Sequence, residues 1–263
     1  MVPVRLSMPS VVVLEHVGKC YTTVKGNEVQ ALKDVSLSVQ QGETVAIVGP
    51  SGCGKSTLLR LIAGVEEAGS GNIRRETAGG QFVVGYVFQD SSLMRWRTVY
   101  DNIRLPLEVV KKPDLGNVDR LIEMIGMKGF ERSYPIELSG GMQRRVSIAR
   151  AFVHEPAIIL MDEPFTGVDE LTKEALQTEL GHLIRTLNVT ALLVTHDIEE
   201  AVFLSDRIFV MSHRPGVIVE EVPVHLPPAR DPSTRSTPEF VAAANQVRAR
   251  LLAMQAMRVD AAT

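Results

Sequence analysis

Gly49-Pro50-Ser51-Gly52-Cys53-Gly54-Lys55-Ser56-Thr57 decides the fold of this chain. The stretch fits the spacing G-x-x-x-x-G-K-[S/T], and its flanks make that spacing meaningful. Before it, Glu43-Thr44-Val45-Ala46-Ile47-Val48 is a short apolar run between Gly42 and Gly49. After it, Leu58 to Ala63 are helix formers that stop at Gly64. A strand, a glycine-rich turn and a helix in that order form a phosphate cradle. The glycines let backbone N–H groups converge on an anion, and the helix N-terminus adds partial positive charge. In such a loop Lys55 is placed for the β- and γ-phosphates of a nucleoside triphosphate, and the Ser56 hydroxyl for Mg²⁺.

The bulk of the chain narrows the partners. At 263 residues it can bury one large α/β core, and a formal charge of −3 supplies no electrostatic reason to expect nucleic acid. Two cysteines, Cys20 and Cys53, make no disulfide scaffold and suit a reducing compartment. Met1 to Ser10 is broken by Pro3 and Pro9 and lacks a signal-peptide apolar region. No apolar run approaches the ~18 residues that span a bilayer.

Apolar periodicity sets out the rest. Val35, Leu37 and Val39 alternate with polar residues, which predicts a half-buried, antiparallel strand over 34–40 with Val11–Leu14 as its neighbour. Val118, Leu121, Ile122 and Ile125 mark one amphipathic helix ending at Gly126. Met142, Val146, Ala149 and Val153 mark a second, stopping before Pro156. Continuous apolar runs at 157–161, 191–194 and 207–211 read as buried parallel strands, with residues 170–187 as a helical crossover. An α/β core with a small antiparallel β layer is thus interrupted by a helical insertion at about 91–155. Pro227 to Pro238 reads as a strap, followed by a terminal helix with Phe240, Ala244, Val247, Leu251 and Met254 on one face.

Two further constellations accompany the phosphate loop. Ile158 to Met161 run into Asp162-Glu163, adjacent carboxylates at a strand end that point to opposite faces. Asp162 suits Mg²⁺, and Glu163 suits activation of a water against the γ-phosphate. Leu138-Ser139-Gly140-Gly141-Met142-Gln143 opens a helix with Ser139 as N-cap and two unobstructed glycines, a second anion site.

Together these segments resemble the ABC-type ATPases over roughly residues 10–225. Ser139-Gly140-Gly141 resembles the signature motif, Gln89 after a strand at 82–88 the Q-loop glutamine, and Asp162 and Glu163 the Walker B aspartate and catalytic glutamate. Phe165 to Asp169 resembles the D-loop, with Thr166-Gly167-Val168 where Ser-Ala-Leu is more familiar. His196 resembles the switch histidine, its backbone held by a capping box of Asp197 and Glu200, and Tyr21 the aromatic that stacks on adenine. The resemblance implies a P-loop NTPase core of ABC type, ATP and Mg²⁺ as ligands, and catalytic roles for Glu163, His196 and Gln89. Gln89 would also join Ser56 and Asp162 at the metal. It further implies a head-to-tail dimer with a second copy, a separate transmembrane permease, and indirectly a substrate-binding protein. The expected location is peripheral, on the cytoplasmic face of the inner membrane.

Phe88 to Ile103, with Trp96-Arg97-Thr98, and Arg214-Pro215-Gly216 are similar to segments of nitrate, sulfonate and taurine importer ATPases, except that Arg95 stands where those carry proline. Trp96 suits either a permease groove or ordinary burial. The expectation is uptake of a small anionic solute. The alternatives are an ABC ATPase of lipid trafficking or export, or a non-transport ABC ATPase acting on nucleic acid. Residues 1–225 form the expected ATPase domain, and 226–263 the strap and helix.

Overall fold

A computed structural model of the chain describes residues 9–76 and 82–260, with side chains described as far as residue 256. The expectation for the N-terminal segment up to Met8 lies outside that range. The chain opens with β1 (Ser10–Thr22), β2 (Glu28–Gln40), β3 (Thr44–Val48), α1 (Lys55–Ala63), β4 (Ser70–Arg75) and β5 (Val84–Val87). Helices α2 (Val99–Val110), α3 (Asn117–Met124) and α4 (Gly140–Phe152) follow. Then come β6 (Ile158–Asp162), α5 (Glu170–Thr186), β7 (Thr190–Thr195), α6 (Ile198–Leu204), β8 (Arg207–Met211), β9 (Ile218–Pro223) and α7 (Pro238–Asp260).

The main sheet has the order β5-β6-β7-β3-β8-β9 among the described residues, parallel except for β9. Its continuous apolar strands are explained by two cores, one on each face. In β3, Ala46 and Val48 belong to one core and Val45 and Ile47 to the other; in β6, Ile159 and Met161 oppose Ile158 and Leu160. Because successive side chains alternate faces, a strand buried on both sides needs no polar positions. One core is closed by α1 and by the antiparallel sheet β2-β1-β4, the other by the helices of residues 99–152 and by α5, α6 and α7. The α7 face expected from the sequence is the one that packs: Phe240, Ala244 and Val247 are buried, with Leu251 and Met254 against them.

Two boundaries differ from the sequence pattern. Strand β2 begins at Glu28 rather than 34, because β1 stays paired with it as far as Thr22. Strand β5 is shorter than 82–88: Phe88 leaves the ladder, half exposed, and its carbonyl is taken by the Arg144 side chain at 2.6 Å. The loop that follows is held by two buried side chains, Asn102 and Arg150, the latter donating to the Ser91 and Ser92 carbonyls at 3.1 and 2.9 Å. Asn102 donates to the carbonyls of Met94, Arg97 and Thr98 at 3.1, 3.0 and 2.9 Å and accepts from the Met94 N–H at 2.8 Å. Trp96 stands out from that loop, 75% exposed.

Candidate nucleotide site

Parallel register brings the site together. Val48 pairs with Thr195, and Asp162 with Val194, so three strands end at the same edge of the sheet. Crevices beyond the carboxyl ends of parallel strands are where open α/β sheets bind ligands. The phosphate loop leaves β3 there and runs into the N-terminus of α1. Gly54 takes φ of 114°, and a Cβ on it would lie 2.9 Å from the Ala31 carbonyl and 2.8 Å from Leu32, so only glycine fits. Gly52 is also left-handed, at 72°. Lys55 is almost fully buried, its ammonium donating to the carbonyls of Gly49 and Pro50 at 2.7 and 3.1 Å.

A cleft of about 430 Å³ lies over this loop, lined by Tyr21, Val29, Ala31, Ser51, Gly52, Gly54, Lys55, Ser56, Thr57, Gln89, Glu163 and Arg214. Residues separated by more than a hundred positions therefore share one cavity of a size that suits a small ligand. A larger cleft of about 660 Å³, lined by residues such as Gln41, Phe152 and Asn188, contains none of the candidate residues, so size alone does not point to the site. Tyr21 presents its ring with the hydroxyl donating to Glu66 at 2.5 Å and Lys19 over the ring at 5.2 Å. Within the loop, Cys53 does not line the cleft. Its side chain is buried in the core with Leu58 and Met211, and burial pushes its thiol pKa up. Only its backbone belongs to the cradle.

The Ser56 hydroxyl donates to Asp162 Oδ1 at 2.9 Å, and burial, with the neighbouring Glu163 charge, raises the Asp162 pKa. A hydroxyl and a carboxylate so placed, with Gln89 across the same cleft, form an all-oxygen set fit for a hard divalent cation that keeps waters and phosphate oxygens as further ligands. Beside it, Glu163 has a left-handed backbone, φ 44°, uncommon for a residue with a side chain. Its Oε2 lies 3.2 Å from His196 Nδ1 and accepts from the Thr166 hydroxyl at 3.1 Å. The threonine of the altered D-loop thus retains a hydroxyl on this carboxylate, and Gly167 uses its freedom at φ 78°.

The turn after His196 is capped differently from the expected box. Asp197 accepts from the Glu200 N–H at 3.1 Å, but its own N–H goes to the Thr195 hydroxyl at 3.0 Å. With that donor already satisfied, Glu200 turns inward, where it is 4% exposed and one oxygen has no partner. Burial, reinforced by the Asp197 charge and opposed by Lys173 and Thr195, pushes its pKa from 4.5 up to about 8. The folded state therefore keeps a proton that the unfolded chain releases above 4.5. This stabilisation is complete below that pH and is lost as pH rises through 8. At about 1.4 kcal/mol per pH unit the loss is on the order of 5 kcal/mol. Glu200→Gln, which mimics the protonated acid, is expected to match the wild type at pH 4 and to melt roughly 5 °C or more above it at pH 8. Parallel pH dependences of the two melting temperatures would refute the assignment.

Ser139, Gly140 and Gly141 are not brought to this cleft. Ser139 caps α4 by accepting the Met142 N–H at 3.3 Å, and it and Gly140 are exposed to solvent. The sequence pattern assigns neither of two further residues to the site, Arg214 standing there only within the segment similar to importer ATPases. Arg214, in the β8–β9 connection, lines the cleft and donates to the Gly52 carbonyl at 3.0 and 3.2 Å. Arg144 binds the backbone on either side of the cleft, at Phe88 and at Glu163.

Comparison with known proteins agrees with this geometry. Residues 32–166 match the ABC transporter family. An aliphatic sulfonates import ATP-binding protein of Bacillus licheniformis is 44% identical over 80% of this chain and 82% of its own length. One from Pseudomonas syringae pv. tomato is 48% identical over 76% and 84%. The solved dimeric post-hydrolysis state of an ATP-binding cassette, bound to ADP and Pi, superposes with a TM-score of 0.70 at 31% identity, covering 82% of this chain and 99% of that one. The cleft, its phosphate loop and these relatives lead to one conclusion: this chain belongs to the ABC transporter family, as an ATP-binding and ATP-hydrolysing subunit.

Proposed function

We propose that the chain energises import of a small anionic solute, of the sulfonate, taurine or nitrate kind, through a separate permease. The observation that carries this reading is its identity of 41–48%, over three quarters or more of its length, to proteins named for aliphatic sulfonate import. The exposed Trp96, on a loop braced by Asn102, supports it as an anchor for a helix of the permease. Among the described residues no helix is long and apolar enough to cross a membrane, and the solute path is proposed to lie in a partner. That partner would hold the chain at the cytoplasmic face of the inner membrane and receive solute from a substrate-binding protein. Residues 1–225, with an insertion at about 91–155, would form the ATPase domain, and 226–263 a strap and helix. In support, α2, α3 and α4 all fall within that insertion.

In the proposed hydrolysis, Lys55 and the N–H groups at the start of α1 hold the β- and γ-phosphates, and Tyr21 stacks on the adenine. Ser56, Asp162 and Gln89 would hold Mg²⁺, which when bound neutralises phosphate charge. Glu163 accepts a proton from the attacking water as its oxygen bonds to the γ-phosphorus and the bond to the β-phosphate oxygen breaks. His196, against the same carboxylate, orients it and contacts the γ-phosphate. A second copy completes each site by placing Ser139-Gly140-Gly141 over the nucleotide.

The test is growth. Deletion of the gene is expected to abolish growth on an aliphatic sulfonate or taurine as sole sulfur source, or on nitrate as sole nitrogen source. Growth on sulfate and ammonium should be unaffected. The wild-type gene should restore it and Lys55→Ala should not. Undiminished growth on all of these solutes would overturn the importer assignment.

A further inference from the structure

Helix α4 begins with the exposed Ser139-Gly140-Gly141 and, less than two turns on, drives a guanidinium into the body of the protein. Arg144 is 4% exposed, and its donors reach three backbone carbonyls in two separate segments. Nη1 donates to Phe88 at 2.6 Å, Nη2 to Glu163 at 3.3 Å, and Nε to Pro164. The first of these segments carries Gln89; the second carries the Glu163 carboxylate. Burial pulls the arginine's pKa down to about 10, so it remains charged at neutral pH, with the Asp90 carboxylate favouring the charged form.

What this guanidinium holds is unusual. Glu163 sits in the left-handed region, φ 44°, where a residue with a Cβ stays only if its surroundings determine it. On one side its N–H donates to the Val194 carbonyl at 2.9 Å, which anchors it to β7. On the other its carbonyl accepts from Arg144 and from the Thr166 N–H at 3.2 Å. Thr166 lies in the same turn and moves with it, so Arg144 is the only one of the two donors to that carbonyl that comes from another element. Without it, that carbonyl keeps only a bond within its own turn, and the left-handed backbone that aims the carboxylate at the γ-phosphate can relax. The same side chain ends β5 by taking the Phe88 carbonyl out of the sheet, which turns Gln89 toward the cleft.

We propose that Arg144 is a positioning residue for hydrolysis, a clamp that holds the backbone of Glu163 and of the Gln89 loop to the signature helix of the same chain. The proposal rests on the role of Glu163 proposed above. Through Arg144, a shift of α4 against a partner's nucleotide is transmitted to this chain's own water-activating carboxylate. A guanidinium is suited to the task because its planar, fixed fork serves several carbonyls at once, which an ammonium cannot.

Arg144→Gln and Arg144→Lys, with Glu163→Gln as reference, test it in the purified full-length chain. Arg144→Gln is expected to lower kcat about 10–100-fold, the cost of a small misplacement of a reacting group, while the KM for ATP stays within about twofold. Arg144→Lys, which keeps the charge and one of the contacts, should fall between it and wild type. Because nucleotide binding survives while hydrolysis slows, Arg144→Gln should accumulate an ATP-dependent dimer in gel filtration, as is expected of Glu163→Gln. Unchanged kcat refutes the clamp. So does a fall in kcat accompanied by a raised KM or loss of the ATP-dependent dimer, in either variant, because a displaced helix would damage the signature loop as well. Normal turnover in Glu163→Gln would remove the role of Glu163 itself, and the clamp with it.

Discussion

Replacing Glu163 with glutamine is expected to leave ATP binding intact and to cut hydrolysis by about 10²–10⁴-fold, the usual contribution of a positioned general base. The amide keeps the shape of the side chain and can still meet His196, now 3.2 Å away, but it cannot accept the proton of the attacking water. The phosphate contacts proposed for the cleft come from other lining residues, Lys55 and the loop backbone. Nucleotide should therefore bind and stay, and the variant should appear as a dimer by size-exclusion chromatography with ATP and a monomer without it. Near-normal turnover would overturn the role of Glu163. Lys55→Ala should fail differently, by weakening nucleotide binding itself.

The second large effect is expected at a residue far from its own cleft. Gly140→Asp should abolish hydrolysis with little loss of ATP binding by the monomer. Gly140 is the right position because a Cβ there meets nothing within 4 Å, whereas one on Gly141 would lie 2.8 Å from Thr172. The fold should tolerate the aspartate, which also favours a helix N-terminus. Its charge acts on the partner's nucleotide, where two like charges about 4 Å apart repel by roughly 4 kcal/mol at an effective dielectric of 20. A mixture of Gly140→Asp and Lys55→Ala chains contains one pairing in which an intact phosphate loop faces an intact signature. Partial recovery of ATP-dependent dimerisation in the mixture is the expected result. Behaviour equal to the average of the two separate proteins would rule out the head-to-tail arrangement.

Much of this protein is determined by local pattern. The phosphate loop is made of backbone, so glycine spacing between a strand and a helix suffices to specify it. The structure places Gly54 where no side chain fits and ends the helix at a left-handed Gly64, as the residues require. Apolar runs such as Ile158–Met161 identify strands buried on both faces, because their physical cause is a core on each side of the sheet. Two of the helices between residues 99 and 152, α3 and α4, and the packed face of α7 follow from periodicity for the same reason, whereas no helix is assigned at α2 from the sequence.

Tertiary structure alone decided what depends on which side chain meets which across the fold. The Ser56–Asp162 bond at 2.9 Å spans residues 106 apart in sequence, and parallel register, not proximity in the chain, creates it. Cys53 lies within the loop but turns its thiol into the core, since the loop's curvature chooses the direction of each side chain. Glu200 matches a capping pattern yet is buried and protonated near neutral pH, because Thr195 reaches the Asp197 N–H instead. Arg144 looks like one more cation on an amphipathic helix, and only the packing of α4 against the ends of β5 and β6 makes it a clamp. Sequence specifies backbone geometry through short-range sterics and period. Desolvation and hydrogen-bond competition, which set the chemistry of a buried side chain, depend on neighbours that folding brings from elsewhere.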